Sequence, residues 1–261
     1  MINRLLIPIL LFAFTCGAQT ESVSTRPPKV AGVPRGADGK PDLSGIWQHI
    51  GVSLFGETGE LRPGEGTAKT IWGPPVGAAP YKPELQAKVS YLASDDRLSP
   101  TVQCKMAGVP RATGSVTPLE IIQTPKKVAI LYESNHAFRI IPVGKPHPSE
   151  VYPSYMGDSV GRWEGDTFVV DAIGFNDKTW LPGPGHFHSE DLHVVERYTL
   201  QPDNTLHYEA IMEDPQVLTK PWAYRIILRH PPRDERIMEA ECSNEDNQDL
   251  QHIQPGKYTQ R

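Results

Sequence analysis

From residue 127 to residue 242, turn-forming residues cut the chain into short β-rich runs, with no helical pattern between them long enough to link parallel strands. That rhythm leaves few folds open. Residues 127–133 and 137–143 read as strands joined by Ser134-Asn135-His136, and 161–171 carries a Gly165-Asp166 turn between β-rich flanks. Residues 192–200 and 205–213 form the clearest hairpin, turned at Gln201-Pro202-Asp203-Asn204. Pro231 and Pro232 separate two further strands at 222–230 and 236–242, and an earlier one opens at 42–48. One short helix fits, at 84–93, with Leu85, Val89 and Leu92 on one face and Pro83 where a first-turn proline is tolerated. The pattern predicts a mainly β chain: an antiparallel barrel or sandwich with one short helix and long loops.

The N-terminus limits where such a chain works. Arg4 precedes an apolar run, 5–14, too short for a transmembrane helix but suited to a signal peptide, and Cys16-Gly17-Ala18 supplies small residues for cleavage. We therefore read 1–18 as a signal peptide, 19–41 as a flexible leader and 42–261 as one β-rich domain, in a secreted or periplasmic protein. Lipid anchoring at Cys16 is the minority alternative. Removing the signal leaves two cysteines, Cys104 and Cys242, which in an oxidising compartment suggest one disulfide. The net charge of -5, with scattered basic residues, gives no footprint for nucleic acid, and no later stretch is apolar enough to span a membrane. The sequence leaves oligomeric state open.

A four-residue turn at 201–204 would set Leu200 opposite Thr205, Glu196 opposite Glu209 and Tyr198 opposite His207. The other face would carry Val195, Arg197, Leu206, Tyr208, Ala210 and Met212, and being the more apolar it reads as the core. Arg197 would then point inward. It would need a carboxylate such as Asp171 or Asp214, or an anionic ligand.

The richest chemistry lies in 176–197, whose first half, with Pro182, Gly183, Pro184 and Gly185, reads as a long loop. An extended backbone would put His186 and His188 on one face, with Glu190 two residues on. Such imidazoles can hold a divalent metal or act as acid–base groups, and the same polarity also suits a merely solvated loop. The candidate catalytic residues are His188, Glu196, Asp177 and His186. Trp180, Arg197, Asn176, Tyr155, Trp222, His136 and Arg139 are the candidates for holding substrate. No cofactor motif is present, a divalent metal on His186 and His188 being the weaker alternative. Gly157-Asp158-Ser159-Val160-Gly161 spells a nucleophile elbow, but without the strand-to-helix turn an elbow needs.

Gly45-Ile46-Trp47 resembles the Gly-x-Trp opening of lipocalin/calycin-type barrels. A wider resemblance rests on 42–47 (DLSGIW), 157–167 (GDSVGRWEGDT), 174–180 (GFNDKTW) and 219–222 (TKPW), with Gly108-Val109-Pro110-Arg111. On these motifs the chain is similar to a large, functionally uncharacterised group of secreted bacterial β-rich proteins. The resemblance implies export and a β-rich fold. Taken together, the residues favour a secreted, cofactor-independent acid–base enzyme (lyase, isomerase, hydratase or hydrolase) acting on a small organic or carbohydrate substrate at a barrel mouth. A non-enzymatic, lipocalin-like binder of a small molecule is the competing expectation.

Overall fold

The computed structural model describes residues 31–49, 78–231, 236–240 and 242. Among them nine strands form one antiparallel sheet: β1 (Gly45–His49), β2 (Leu119–Gln123), β3 (Lys127–Tyr132), β4 (Phe138–Pro142), β5 (Asp158–Glu164), β6 (Thr167–Ile173), β7 (His193–Leu200), β8 (Leu206–Glu213) and β9 (Trp222–Arg229). Their order across the sheet is β4-β3-β2-β1-β9-β8-β7-β6-β5. The sheet curls until its edges meet: Val143, just past β4, bridges Gly161 of β5, and Gly144 N–H donates to Gly161 O at 2.7 Å. Of the two expected architectures, barrel or sandwich, the chain forms an antiparallel barrel, nearly closed. Closure leaves little bare sheet edge, the usual hazard of β proteins.

Strict alternation builds the interior. On β7 the buried positions are Val194, Glu196, Tyr198 and Leu200, and on β8 Leu206, Tyr208, Ala210 and Met212. The barrel is packed with large side chains, including Trp47, Phe168, Tyr198 and Tyr208, all at most 1% exposed. At the end where β5 turns into β6, Gly165 takes φ 62°, a backbone that glycine adopts without a Cβ penalty. Residues 31–41 lie across that end, with Arg35 paired to Asp166 at 2.7 Å, and Trp47 donates its indole N–H to Leu43 O. The opposite end carries the long β6–β7 connection, the β8–β9 connection, and α1 (Gln86–Ala93), which continues a 3-10 turn at Pro83–Leu85. Leu85, Val89 and Leu92 pack against the core, the face expected from their spacing.

Three expectations need correction. The β7–β8 pairing is Leu200 with Leu206, not Thr205, so every partner shifts by one. Gln201 N–H donates to Thr205 O and Asn204 takes a left-handed φ of 59°, so the loop holds five residues and β8 begins one later. A one-residue slip exchanges faces: Glu196 points inward, and Arg197 sits opposite Glu209 on the outer face and pairs with Glu164. Second, β2, which pairs β1 with β3, lies outside the runs read as strands. Third, residues 236–240 form no strand, and Ala240 makes a single parallel bridge to Ser134.

Cys104 and Cys242 lie with Cα atoms 5.2 Å apart, a disulfide-compatible pair 138 residues apart in sequence. No helix of the described residues is long and apolar enough to cross a membrane. Residues 1–18, read above as a signal peptide, with Cys16, and the first part of the segment read as a leader lie outside the described residues.

Candidate functional site

Two of the expected residues meet deep in the barrel. Arg139 of β4 reaches Glu196 of β7, Nη2 to Oε2 at 2.6 Å, and both side chains are at most 2% exposed. The other carboxylate oxygen accepts the hydroxyls of Tyr198 (3.0 Å) and Tyr208 (2.9 Å). Arg139 also donates to Ser159 Oγ at 2.7 Å, and its Nη1 lies 3.5 Å from the Tyr132 hydroxyl, itself 3.2 Å from Thr113 Oγ1. Burial works against the Arg139 charge, but the Glu196 carboxylate, together with the Tyr132 and Tyr198 phenols, outweighs it and holds the guanidinium pKa well above normal. Burial, then the same carboxylate, pushes the Tyr198 and Tyr208 phenols up. Each donor and acceptor of the pair is met by a neighbour, which is the condition for a buried ion pair to persist. The network also decides the role of Ser159: it points into the barrel from β5 as an acceptor of Arg139.

The second cluster is at the far end, on the β6–β7 connection. This segment is folded back on itself: Trp180 bridges Phe187, and Leu181 N–H donates to His186 O at 2.7 Å. Gly185 makes the fold possible twice over. Its φ is 72°, and a Cβ there would stand 2.4 Å from Val89 O of α1. The turn buries Trp180, Leu181, Phe187 and His188, so it is a packed element and not a solvated loop.

His188 is 3% exposed, and both ring nitrogens are engaged. Nδ1 lies 2.8 Å from Ser189 O, and since a carbonyl only accepts, Nδ1 carries the proton. Nε2 is then the acceptor and receives the Thr179 hydroxyl at 2.6 Å. Burial lowers the His188 pKa, outweighing the Ser189 carbonyl and the Asp214 and Asp177 charges, so the ring is neutral near pH 7. His188 and Asp177 both border a cleft of roughly 430 Å³, with Lys88 of α1, Glu190, Asp191 and Gln216 on its other walls. Lys88 Nζ sits 3.7 Å from the centre of the Phe187 ring, and Gln216 donates to Asp191 at 2.8 Å. A neutral imidazole, carboxylates and an ammonium on one water-accessible cleft can accept and return protons to a small polar molecule.

The remaining candidates scatter. His186 turns away from His188: its ring packs on Trp222 (centroids 5.3 Å) and Tyr81, and its Nδ1 donates to Pro182 O at 2.5 Å. Burial, with the nearby Arg111 charge, lowers its pKa. Among the described residues no three metal-ligating side chains are grouped to hold an ion. Trp180 stacks under the Arg111 guanidinium at 5.8 Å. Asn176 caps its own turn by accepting from Lys178 N–H, and Tyr155 is half-buried on the 143–157 crossing. His136 is exposed in the β3–β4 turn at φ 48°, away from Arg139. Thr179, Arg111 and Tyr132 received no role from the sequence: Thr179 meets His188 nine residues on and Tyr132 meets Arg139 seven residues on, contacts that no spacing rule for a strand or turn predicts, and Arg111 meets Trp180 only across the fold. Neither a protein-family model nor a curated protein matches the chain.

Proposed function

We propose that this protein is an acid–base enzyme without an organic cofactor, acting on a small polar molecule, such as a sugar or hydroxy acid, at the His188 cleft. One observation carries the reading: His188 is buried, neutral and locked with Nε2 as acceptor, beside Asp177 on the wall of an open cleft. In the free protein the Thr179 hydroxyl occupies that lone pair. Thr179 is 2% exposed and stands behind the cleft wall, so its hydroxyl would have to rotate away to let a substrate hydroxyl or acidic C–H reach Nε2; that group would then lose its proton to Nε2, and the imidazolium would return it later in the cycle. Glu196, by contrast, is tied to Arg139 and two phenols, which suits a structural role better than proton exchange. Asp177 is placed to favour the imidazolium as it forms. The resemblance to secreted bacterial proteins and the Cys104–Cys242 pair support work outside the cytoplasm, after removal of 1–18.

A binding protein is the second reading, and the cleft itself favours it, since Phe187 and Val217 line it beside the polar groups. Incubating wild type with a panel of mono- and disaccharides and small hydroxy acids, followed by proton NMR, separates the two. The enzyme reading expects one compound to be converted by wild type and left intact by His188→Gln, with Asp177→Asn slowed; Asp177→Asn should melt within about 2 °C of wild type, while His188→Gln, which gives up buried hydrogen bonds, should still fold but melt roughly 2–10 °C early. A compound that binds and returns unchanged would establish the binder instead.

A further inference from the structure

A base that works through one nitrogen must be held in one tautomer, and for His188 the restraint leads beyond its own loop. Nδ1–H donates to the carbonyl of Ser189. Ser189 is fixed from the other side: its N–H donates to Asp214 Oδ2 at 2.7 Å and its hydroxyl to Asp214 Oδ1 at 2.8 Å. Asp214 follows the last residue of β8, is 2% exposed, and also accepts the Gln216 N–H at 3.0 Å. Its own carbonyl takes the N–H groups of Val217 and Leu218, so the carboxylate is anchored to the β8–β9 turn. The path runs from the barrel wall through Asp214, Ser189 and His188 to the hydroxyl of Thr179.

We propose that Asp214 is a positioning residue, which by clamping Ser189 fixes His188 in the Nδ1–H form and keeps Nε2 as the proton acceptor. The inference rests on the reading of His188 as the base. The geometry is that of an orienting carboxylate acting at one remove, with a backbone carbonyl between acid and imidazole. A direct carboxylate would place a full negative charge on Nδ1–H. A carbonyl held by one fixes the tautomer while leaving the ring only weakly charge-stabilised, consistent with an imidazole that stays neutral. The charged and polar groups acting on the ring are Asp214 from the β8–β9 turn, and Asp177, Thr179 and the Ser189 carbonyl from the β6–β7 connection. Thr179 lies close against Gly108, where a Cβ would stand 2.7 Å from Thr179 Oγ1.

The test needs no substrate. Nitrogen-15 correlation spectra of the histidine rings in the full chain at pH 7.5 report which nitrogen of His188 is protonated. Wild type should show Nδ1–H alone. Asp214→Asn should give a mixture of tautomers and a lower His188 titration midpoint, since a charge favouring the imidazolium is gone. Asp166→Asn, which removes a buried carboxylate at the other end of the barrel, should lower stability and leave the His188 signals unmoved. If Asp214→Asn does not fold, Ser189→Ala takes its place, and loss of the hydroxyl bond should admit a minor Nε2–H form. An Nε2–H ring in wild type overturns the proposal, as does an unchanged tautomer in the Asp214 or Ser189 variant that folds. If no panel compound is converted while the tautomer coupling is intact, the restraint of His188 by Asp214 stands and only its use as a base falls.

Discussion

The Arg139–Glu196 pair offers the most exposed test of the barrel interior, because its environment fixes the sign and rough size of each substitution. Glu196→Gln keeps an oxygen for the Tyr198 and Tyr208 hydroxyls, but turns an amide donor toward the Arg139 guanidinium and leaves that cation buried without a counter-charge. Removing one partner of a buried pair costs about 3–5 kcal/mol. Arg139→Met leaves the carboxylate with two neutral donors and should cost about the same. In the double variant the Gln oxygen still serves both tyrosines, its amide can face Ser159 Oγ where Arg139 had donated, and no buried charge remains. That double should cost no more than about 3 kcal/mol, so the two single losses fail to add by at least about 3 kcal/mol. Urea unfolding followed by tryptophan fluorescence would read each midpoint at a shared slope. For a barrel of this size each single variant should also melt roughly 6–20 °C early. Additive losses, or a single loss below about 1 kcal/mol, would mean that the two charges reach water and that the closed network is wrong.

Two further outcomes follow from the outer wall and the cysteines. His147 pins the 143–157 crossing between Asp158 (2.5 Å) and Asp171 (3.0 Å), and Asp171 also meets His193, which approaches Glu213. Burial opposes the His147 charge, but the two carboxylates outweigh it and raise its pKa, and for Asp171 the His147 and His193 bonds outweigh burial and lower its own. A raised histidine stabilises fully below its unfolded pKa of about 6.5 and less as pH climbs through the folded value, whereas Asp171 contributes above about pH 4. The stability gap between wild type and His147→Gln should therefore be widest near pH 5–6 and shrink above pH 7 in a series of urea titrations; a gap growing with pH would contradict the clamp. Cys104→Ser/Cys242→Ser opens a loop of 138 residues, for which chain entropy sets a ceiling of about 5 kcal/mol. Reducing the wild type should produce the same loss, and alkylation before reduction should label neither cysteine.

How much of this was legible in the sequence depended on whether a residue's meaning is local. Period-two runs and turn residues were enough for an antiparallel barrel or sandwich, and Leu85, Val89 and Leu92 for the face of α1. β2 was lost because Leu119 to Gln123 holds two adjacent isoleucines, of which Ile121 is buried and Ile122 45% exposed. An apolar residue on the outer face hides the alternation. In the candidate site, His188 and Asp177 share a cleft, as neighbours on one loop can be expected to, but the contact of Thr179 with His188 emerged only from folding, and Asp214, expected beside Asp171 as a counter-ion for Arg197, instead holds Ser189. The hairpin shows the sharpest limit. Its strands were identifiable, yet whether Thr205 closes the turn or opens β8 is a matter of one residue in the loop. On that one residue rested the choice between Arg197 and Glu196 as the inward charge. The apolar face of β8 was correctly chosen as core, so the requirement for a buried counter-ion survived the slip with its sign reversed: an inward carboxylate needing a cation. That cation is Arg139, 57 residues away on β4, a strand that touches β7 nowhere along the sheet. Only closure of the barrel brings the two together. The pair therefore reports tertiary closure itself, and this is why its disruption should be felt across the whole domain and not at one strand.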